Sequence, residues 1–270
     1  MDSRRLDYLR TIGIDVWLPR NAPAAPQLGE ARKGSAAVET RPAVGEAKAA
    51  LPEPARERQP EARPSIRIPD AEPSPLSPEV EAQWNALESE VLTCQKCSLH
   101  ATRTQGVFGV GNRRADWLVI GEAPGAEEDR QGEPFVGRAG QLLNAMLRAI
   151  GLPRETVFIA NVLKSRPPGN RDPKPKEVAA CLPYLMRQIA LLQPKLMLAV
   201  GRIAAQNLLA TDLSLSRLRG QVHTFGELNT PLIVTYHPAY LLRTPADKRK
   251  AWEDLKFARS VFRRLATQES

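Results

Sequence analysis

Histidine, cysteine and aromatic side chains are all scarce in this chain: 3 His, 3 Cys and 5% aromatics in 270 residues. Three cysteines are poor material for a disulfide framework, which fits a reducing compartment. No apolar run is long enough to cross a bilayer, and no apolar stretch with a cleavage site follows Met1, so neither a membrane-spanning nor a secreted protein is expected. The glycine-rich run "GEAPGAEEDRQGEPFVGRAG" (121–140) has neither the G-K-[ST] ending of a P-loop nor the G-x-G-x-x-G of a dinucleotide fold, which removes most support for ATPase and nicotinamide chemistry. The H-x-E and P-C-x-x-C signature of zinc deaminases is missing too. A cytoplasmic monomer is the expectation.

Proline, by contrast, is plentiful and unevenly spread. Positions 19–80 hold 12 of the 24 prolines, mixed with Ala, Glu, Arg and Gly. That stretch has too few large apolar residues to offset the entropy of ordering its backbone, so it reads as a disordered linker. Ahead of it, residues 1–18 read as a short amphipathic segment, "RRLDYLRTIGIDVW", which docks on the main domain, recruits a protein partner or is a mostly disordered end. Residues 81–270 are long enough for one ordinary domain. Charge is also uneven: 164–176 carries five Lys or Arg against one Asp, and 243–264 carries eight against three. Two such patches favour a polyanion, most simply nucleic acid.

Within the domain, "WLVIG" (117–121), "VFIAN" (157–161), "LMLAVG" (196–201) and "LIVTYH" (232–237) are short apolar runs without clean alternation. They suit strands buried on both faces of a parallel sheet. Helical patterns lie between and after them, at 136–150, from Pro175, at 202–209 and from about Asp247. This βαβα order predicts a three-layer α/β/α sandwich with a central four-stranded parallel sheet. Gly121–Gly125, Asn161–Arg171, Gly201 and His237–Arg243 then all follow strand carboxyl ends, the edge where open parallel sheets bind ligands.

Residue chemistry at that edge leaves alternatives open. Phe135 is a core plug or an aromatic stacking plate. The cluster Glu122, Glu127, Glu128 and Asp129 would repel phosphate, so at least one carboxylate is expected to face a neutral ligand or a water; decoration of a helix N-terminus is the other reading. The pair "CQKC" (94–97), with Cys181 far downstream, suits zinc, a redox dithiol or half of an iron–sulfur cluster.

The run from Gly121 to Leu143, with "NVLKSRPPGNR" (161–171) and "TYHPAYLLR" (235–243), resembles the family 4 uracil-DNA glycosylases, the iron–sulfur branch of the uracil-DNA glycosylase superfamily. The resemblance spans about residues 85–265. It implies a uracil-DNA glycosylase-like fold and a monofunctional glycosylase that releases uracil and leaves an abasic site in base excision repair, acting on single- or double-stranded DNA at the bacterial nucleoid. Phe135 matches the aromatic that stacks on uracil, and Asn161 the asparagine that reads it. Ala123 and Gly125 complete the substrate-binding set. His237 matches the histidine that donates toward uracil O2. Glu122 and Glu128 match acidic residues of the motif and become joint candidates for positioning water, because Ala123 stands where the best-known members carry an aspartate. Lys164, Arg166, Arg171 and Arg243 are expected on phosphates, and Leu241 and Leu242 as a wedge in the base stack. Two alternatives remain: a broader-specificity deaminated-base glycosylase of the same superfamily, and a non-catalytic single-strand DNA-binding module.

The same resemblance implies a [4Fe-4S] cluster on four cysteines. Three match Cys94, Cys97 and Cys181; the fourth position is Ser165. Serine is a harder ligand than thiolate, so the readings are serine ligation, a carboxylate such as Asp172, an open iron, or no cluster.

Overall fold

The computed structural model describes residues 76–227 and 229–268, all within one compact unit. The expected segment 1–18 and residues 19–75 of the expected linker lie outside the described residues. Helix α1 (Pro78–Leu92) opens the described chain, with the Ser77 hydroxyl accepting from the Val80 N–H and proline in its first turn. Among the described residues no helix is long and apolar enough to cross a membrane.

Strand β2 (Trp117–Gly121) shows why the apolar runs do not alternate. All five residues are buried. Leu118 and Ile120 enter one core, while Trp117 and Val119 enter the other. Next come α2 (Ala126–Gln131), α3 (Arg138–Ala149) and β3 (Phe158–Asn161). Helix α4 (Pro175–Leu192) follows, then β4 (Leu196–Val200) and α5 (Arg202–Leu209). Residues of α1, α4 and α5 pack on the first core and residues of α3 on the second. After a short α6 (Leu215–Leu218), β5 (His223–Phe225) and β6 (Thr230–Thr235) lead to α7 (Pro238–Arg243) and α8 (Lys248–Gln268). Leu255, Ala258 and Val261 of α8 close the second core.

The four expected strands lie side by side and parallel, in the order β3-β2-β4-β6. The expectation of a four-stranded sheet nevertheless needs correction. The sheet is mixed and six-stranded, because β1 (Val110–Gly111) adds antiparallel to β3 and β5 adds antiparallel to β6. Two- and three-residue edge strands bury too little to leave an apolar run in the sequence.

Register sets up the site. Gly121 pairs with Asn161 at the ends of β2 and β3. The Gly201 N–H donates to the Thr235 carbonyl at 2.9 Å, two residues before His237. Four strand ends thereby deliver their loops to one edge.

Candidate active site

A cavity of 390 Å³ opens at that edge, with Glu122, Ala123, Gly125, Phe135, Asn161 and His237 in its wall. Phe135 forms part of its floor in an unusual backbone state, φ 55°, which costs a non-glycine residue about 1–3 kcal/mol. It is held from both sides. Glu128 Oε1 accepts from the N–H groups of Val136 and Gly137, while Arg154 donates to the carbonyls of Pro134 and Phe135. Such charge-assisted bonds contribute about 1.5–3 kcal/mol each, enough together to outweigh the strain. Gly140 allows the bend, since a Cβ there would stand 1.8 Å from the Phe135 carbonyl oxygen.

The Phe135 ring and the Asn161 amide meet over Gly121. A Cβ at Gly121 would sit 2.5 Å from the ring and 2.4 Å from Asn161 Oδ1, so glycine leaves the space that the two groups share. Asn161 is buried and, among the described residues, its Oδ1 has no hydrogen-bond partner. An unpaired buried acceptor costs about 1–3 kcal/mol, so this oxygen is a site prepared for a donor.

His237 stands opposite, its ring centroid 5.6 Å from that of Phe135. It caps α7, with Nδ1 accepting from the Ala239 N–H at 3.1 Å. An accepting Nδ1 puts the proton of the neutral ring on Nε2. Burial, then the Arg243 cation, pushes its pKa down to about 4. At neutral pH the ring is an uncharged Nε2–H donor.

The acidic cluster separates by partner. Glu127 pairs with Arg130 at the surface. Asp129 is buried against the Thr104 N–H and hydroxyl. Glu128 braces backbone, its Oε2 also accepting from the Gly125 N–H at 3.1 Å. Glu122 is the carboxylate of the four that faces the cavity without such a bond among the described residues. Burial, then the neighbouring Asp172 carboxylate, pushes its pKa up to about 7, opposed by Arg202.

Two of the six residues expected on DNA are not where phosphate or a base stack could meet them. Lys164 is buried, its ammonium donating to the carbonyls of Asn161 and Phe108 and to Gln188 Oε1. Leu241 is 1% exposed because the short α7 turns it inward. Its neighbours Leu242 and Arg243 face outward, and Arg243 borders the cavity. Arg166 donates to Asn170 Oδ1, and Arg171 forms a two-pronged pair with buried Glu177 while still lining the cavity.

Cys94 and Cys97 lie just after α1, and Cys181 is buried in α4. Among the described residues no group of three or more His, Cys, Asp or Glu side chains is placed to hold a metal ion. The fourth position offers only the buried Ser165 hydroxyl, which accepts from the Arg103 guanidinium at 2.8 Å. This donor set does not fit a four-thiolate cluster.

The sequence reading missed Arg154, and it considered Asp172 only as a metal ligand, not as a neighbour of Glu122. Arg154 acts on Phe135 from 19 residues away, and Asp172 acts on Glu122 across the cavity rim. Neither position carries a local motif.

Comparison with known proteins places this geometry. Residues 108–256 match the model of the uracil DNA glycosylase superfamily. The chain is 46% identical to the type-4 uracil-DNA glycosylase of Archaeoglobus fulgidus over 173 residues, 62% of this chain and 87% of that protein. It is 41% identical to that of Sulfurisphaera tokodaii over 65% of this chain and 83% of the relative. The corresponding figures for the Thermotoga maritima enzyme are 40%, 66% and 94%.

Proposed function

We propose, on the premise that this chain belongs to the uracil DNA glycosylase superfamily and within it to the type-4 uracil-DNA glycosylases, that its cavity takes a uracil flipped out of DNA. The protein is a DNA glycosylase of base excision repair: it hydrolyses the N-glycosidic bond of deoxyuridine, releases uracil and leaves an abasic site. The observation that carries the reading is the buried, unpartnered Asn161 Oδ1. Uracil N3–H supplies the missing donor, and the same amide donates to O4. Cytosine presents an acceptor at N3 and a donor at its exocyclic amine, so it would leave the oxygen unpaired or force the amide over.

Phe135 stacks beneath the base, and the Ala123 and Gly125 backbone borders it. As the N1–C1′ bond breaks, charge develops on uracil O2. His237 donates to it through Nε2–H, and being neutral it needs no proton loss first; such a donor is worth about 3 kcal/mol or more. Glu122 aligns water against C1′ and takes its proton as the hydroxyl bonds to the sugar; N1 of the departing uracil is protonated from solvent. Glu128 contributes by holding the Phe135 and Gly125 loops in place. Arg243, Arg166 and Arg171 provide the cationic rim for phosphates, and Leu242 alone serves as the wedge. A non-catalytic single-strand-binding module would have no use for the orphaned amide oxygen.

Further parts of the reading are a monomer acting on nucleoid DNA in a bacterial cytoplasm, residues 1–18 as a partner-recruiting segment and a linker that ends before α1, at residue 75 rather than the expected 80. Incubation with uracil-containing single-stranded and duplex oligonucleotides, then alkali, tests the activity. Strand breaks that appear only after alkali, with free uracil in solution, are expected; absence of uracil from both substrates would overturn it.

A further inference from the structure

The position where a cluster-bound chain would need a fourth thiolate is occupied by a hydrogen-bonded hub. Arg103 Nη1 donates to Ser165 Oγ at 2.8 Å and, at a longer 3.4 Å, to the Val91 carbonyl. Its Nη2 donates to the carbonyls of Leu92 at 2.8 Å and Cys94 at 3.0 Å. Two of these four acceptors, the Val91 and Leu92 carbonyls, belong to the last turn of α1, where a cation is also favoured by the helix dipole, and the Cys94 carbonyl lies in the turn just after it. The fourth lies 62 residues further along the chain from Arg103, in the loop that follows Asn161. A single planar guanidinium therefore ties the end of α1 and the Cys94 turn to the base of the proline-rich loop.

We infer that this chain carries an Arg103–Ser165 staple in place of a four-thiolate cluster, so that its basic loop is fixed by hydrogen bonds and its fold requires no iron. Serine suits that task better than cysteine, because a hydroxyl oxygen is a stronger acceptor for a guanidinium than sulfur is. It suits iron worse, since a neutral hydroxyl is a poor match for the soft, thiolate-bound metals of such clusters. Ser165 is 3% exposed, so without Arg103 its oxygen would be a buried polar atom lacking a partner. Cys94 and Cys97 lie near enough to Cys181 to help push its thiol up, yet among the described residues no group of three or more His, Cys, Asp or Glu is placed to hold a metal ion, and the staple holds the loop without one. The inference does not depend on uracil recognition.

The test is metal content and thermal stability of the full-length protein, purified without oxygen from cells supplied with iron and sulfide. Iron and acid-labile sulfide at background, a colourless solution and a melting temperature indifferent to a strong chelator are expected. Stoichiometric iron and sulfide would overturn the inference whatever the enzyme's activity. Ser165→Ala, which deletes one acceptor and keeps the backbone, should lower the melting temperature of the iron-free protein by about 2–4 °C. Arg103→Met should lower it further; an unchanged melting temperature in both variants would remove the staple. Ser165→Cys should gain iron and visible colour under the same growth conditions. A colourless, iron-free Ser165→Cys protein would show that serine is not what excludes the cluster, and would count against the substitution of one device for the other.

Discussion

At the scale of single residues, the carboxylates of the first loop are sorted by their partners. Glu127, Glu128 and Asp129 are all spoken for, which leaves Glu122 facing the cavity with its pKa raised to about 7. Water positioning requires its carboxylate form, so kcat/KM should rise with pH through about 7 and level off above it. His237, lowered to about 4, stays neutral across that window and contributes no second limb there. Asp172→Asn removes the carboxylate that raises Glu122 and should move the limb to lower pH; a limb that does not move would assign it to another group. A carboxyl with a raised native pKa binds its proton more tightly when folded, so stability falls as pH rises from about 4.5 through about 7. Glu122→Gln should therefore be slower at excision yet melt higher at pH 8, with a smaller gain at pH 5. A melting gain equal at both pH values would contradict the assignment. His237→Ala should cut the single-turnover rate by about 100-fold, the scale of one transition-state donor.

At the scale of elements, the buried strands and the helices between them were legible because each carries a run or stripe long enough to read. "RIAAQNLL" became α5, and Pro175 opened α4 as its fixed φ favours. The edge strands were not legible, being two and three residues long. Helix α7 was the more instructive miss. "PAYLLR" reads as a loop with two exposed leucines, but its six residues coil, so Leu241 turns into the core while Leu242 and Arg243 stay outside. Lys164 misled for a related reason: a basic residue in a basic loop looks solvent-facing, and only the fold brings Gln188 of α4 and the Phe108 and Asn161 carbonyls together as the acceptors that hold it inside. The element makes its own prediction. Leu242→Ala should slow excision in duplex DNA more than in single strands, because only the duplex must be held open. Equal losses on both substrates, or none, would reject the wedge. Arg243→Ala should weaken uracil and non-uracil DNA alike and flatten the salt dependence by about one phosphate contact.

At the scale of the whole molecule, the cavity residues all lie between Glu122 and Arg243, and the superfamily match spans 108–256. A chain beginning at residue 76 is accordingly expected to excise uracil from oligonucleotides at the rate of the full chain. A large loss would give residues 1–75 a part in catalysis rather than in recruitment. The charge of +8 serves this arrangement, with the 243–264 patch beginning at the cavity rim. Much of the site's chemistry was visible in three motifs. What the motifs could not reveal was the set of supports behind them: Arg154 under Phe135, Asp172 beside Glu122, and Arg103 on Ser165. Each is a partnership across the fold with no periodicity or local spacing to announce it.

All of these parts serve one claim, that a buried amide oxygen waiting for a donor makes this a uracil pocket. The most direct measurement is free uracil released in a single turnover from a uracil-containing single strand, by the unaltered protein and by Asn161→Ala. The account predicts release by the first and a rate lower by about 100-fold or more in the second, with binding to uracil-free DNA unchanged. Equal release by both proteins would contradict it.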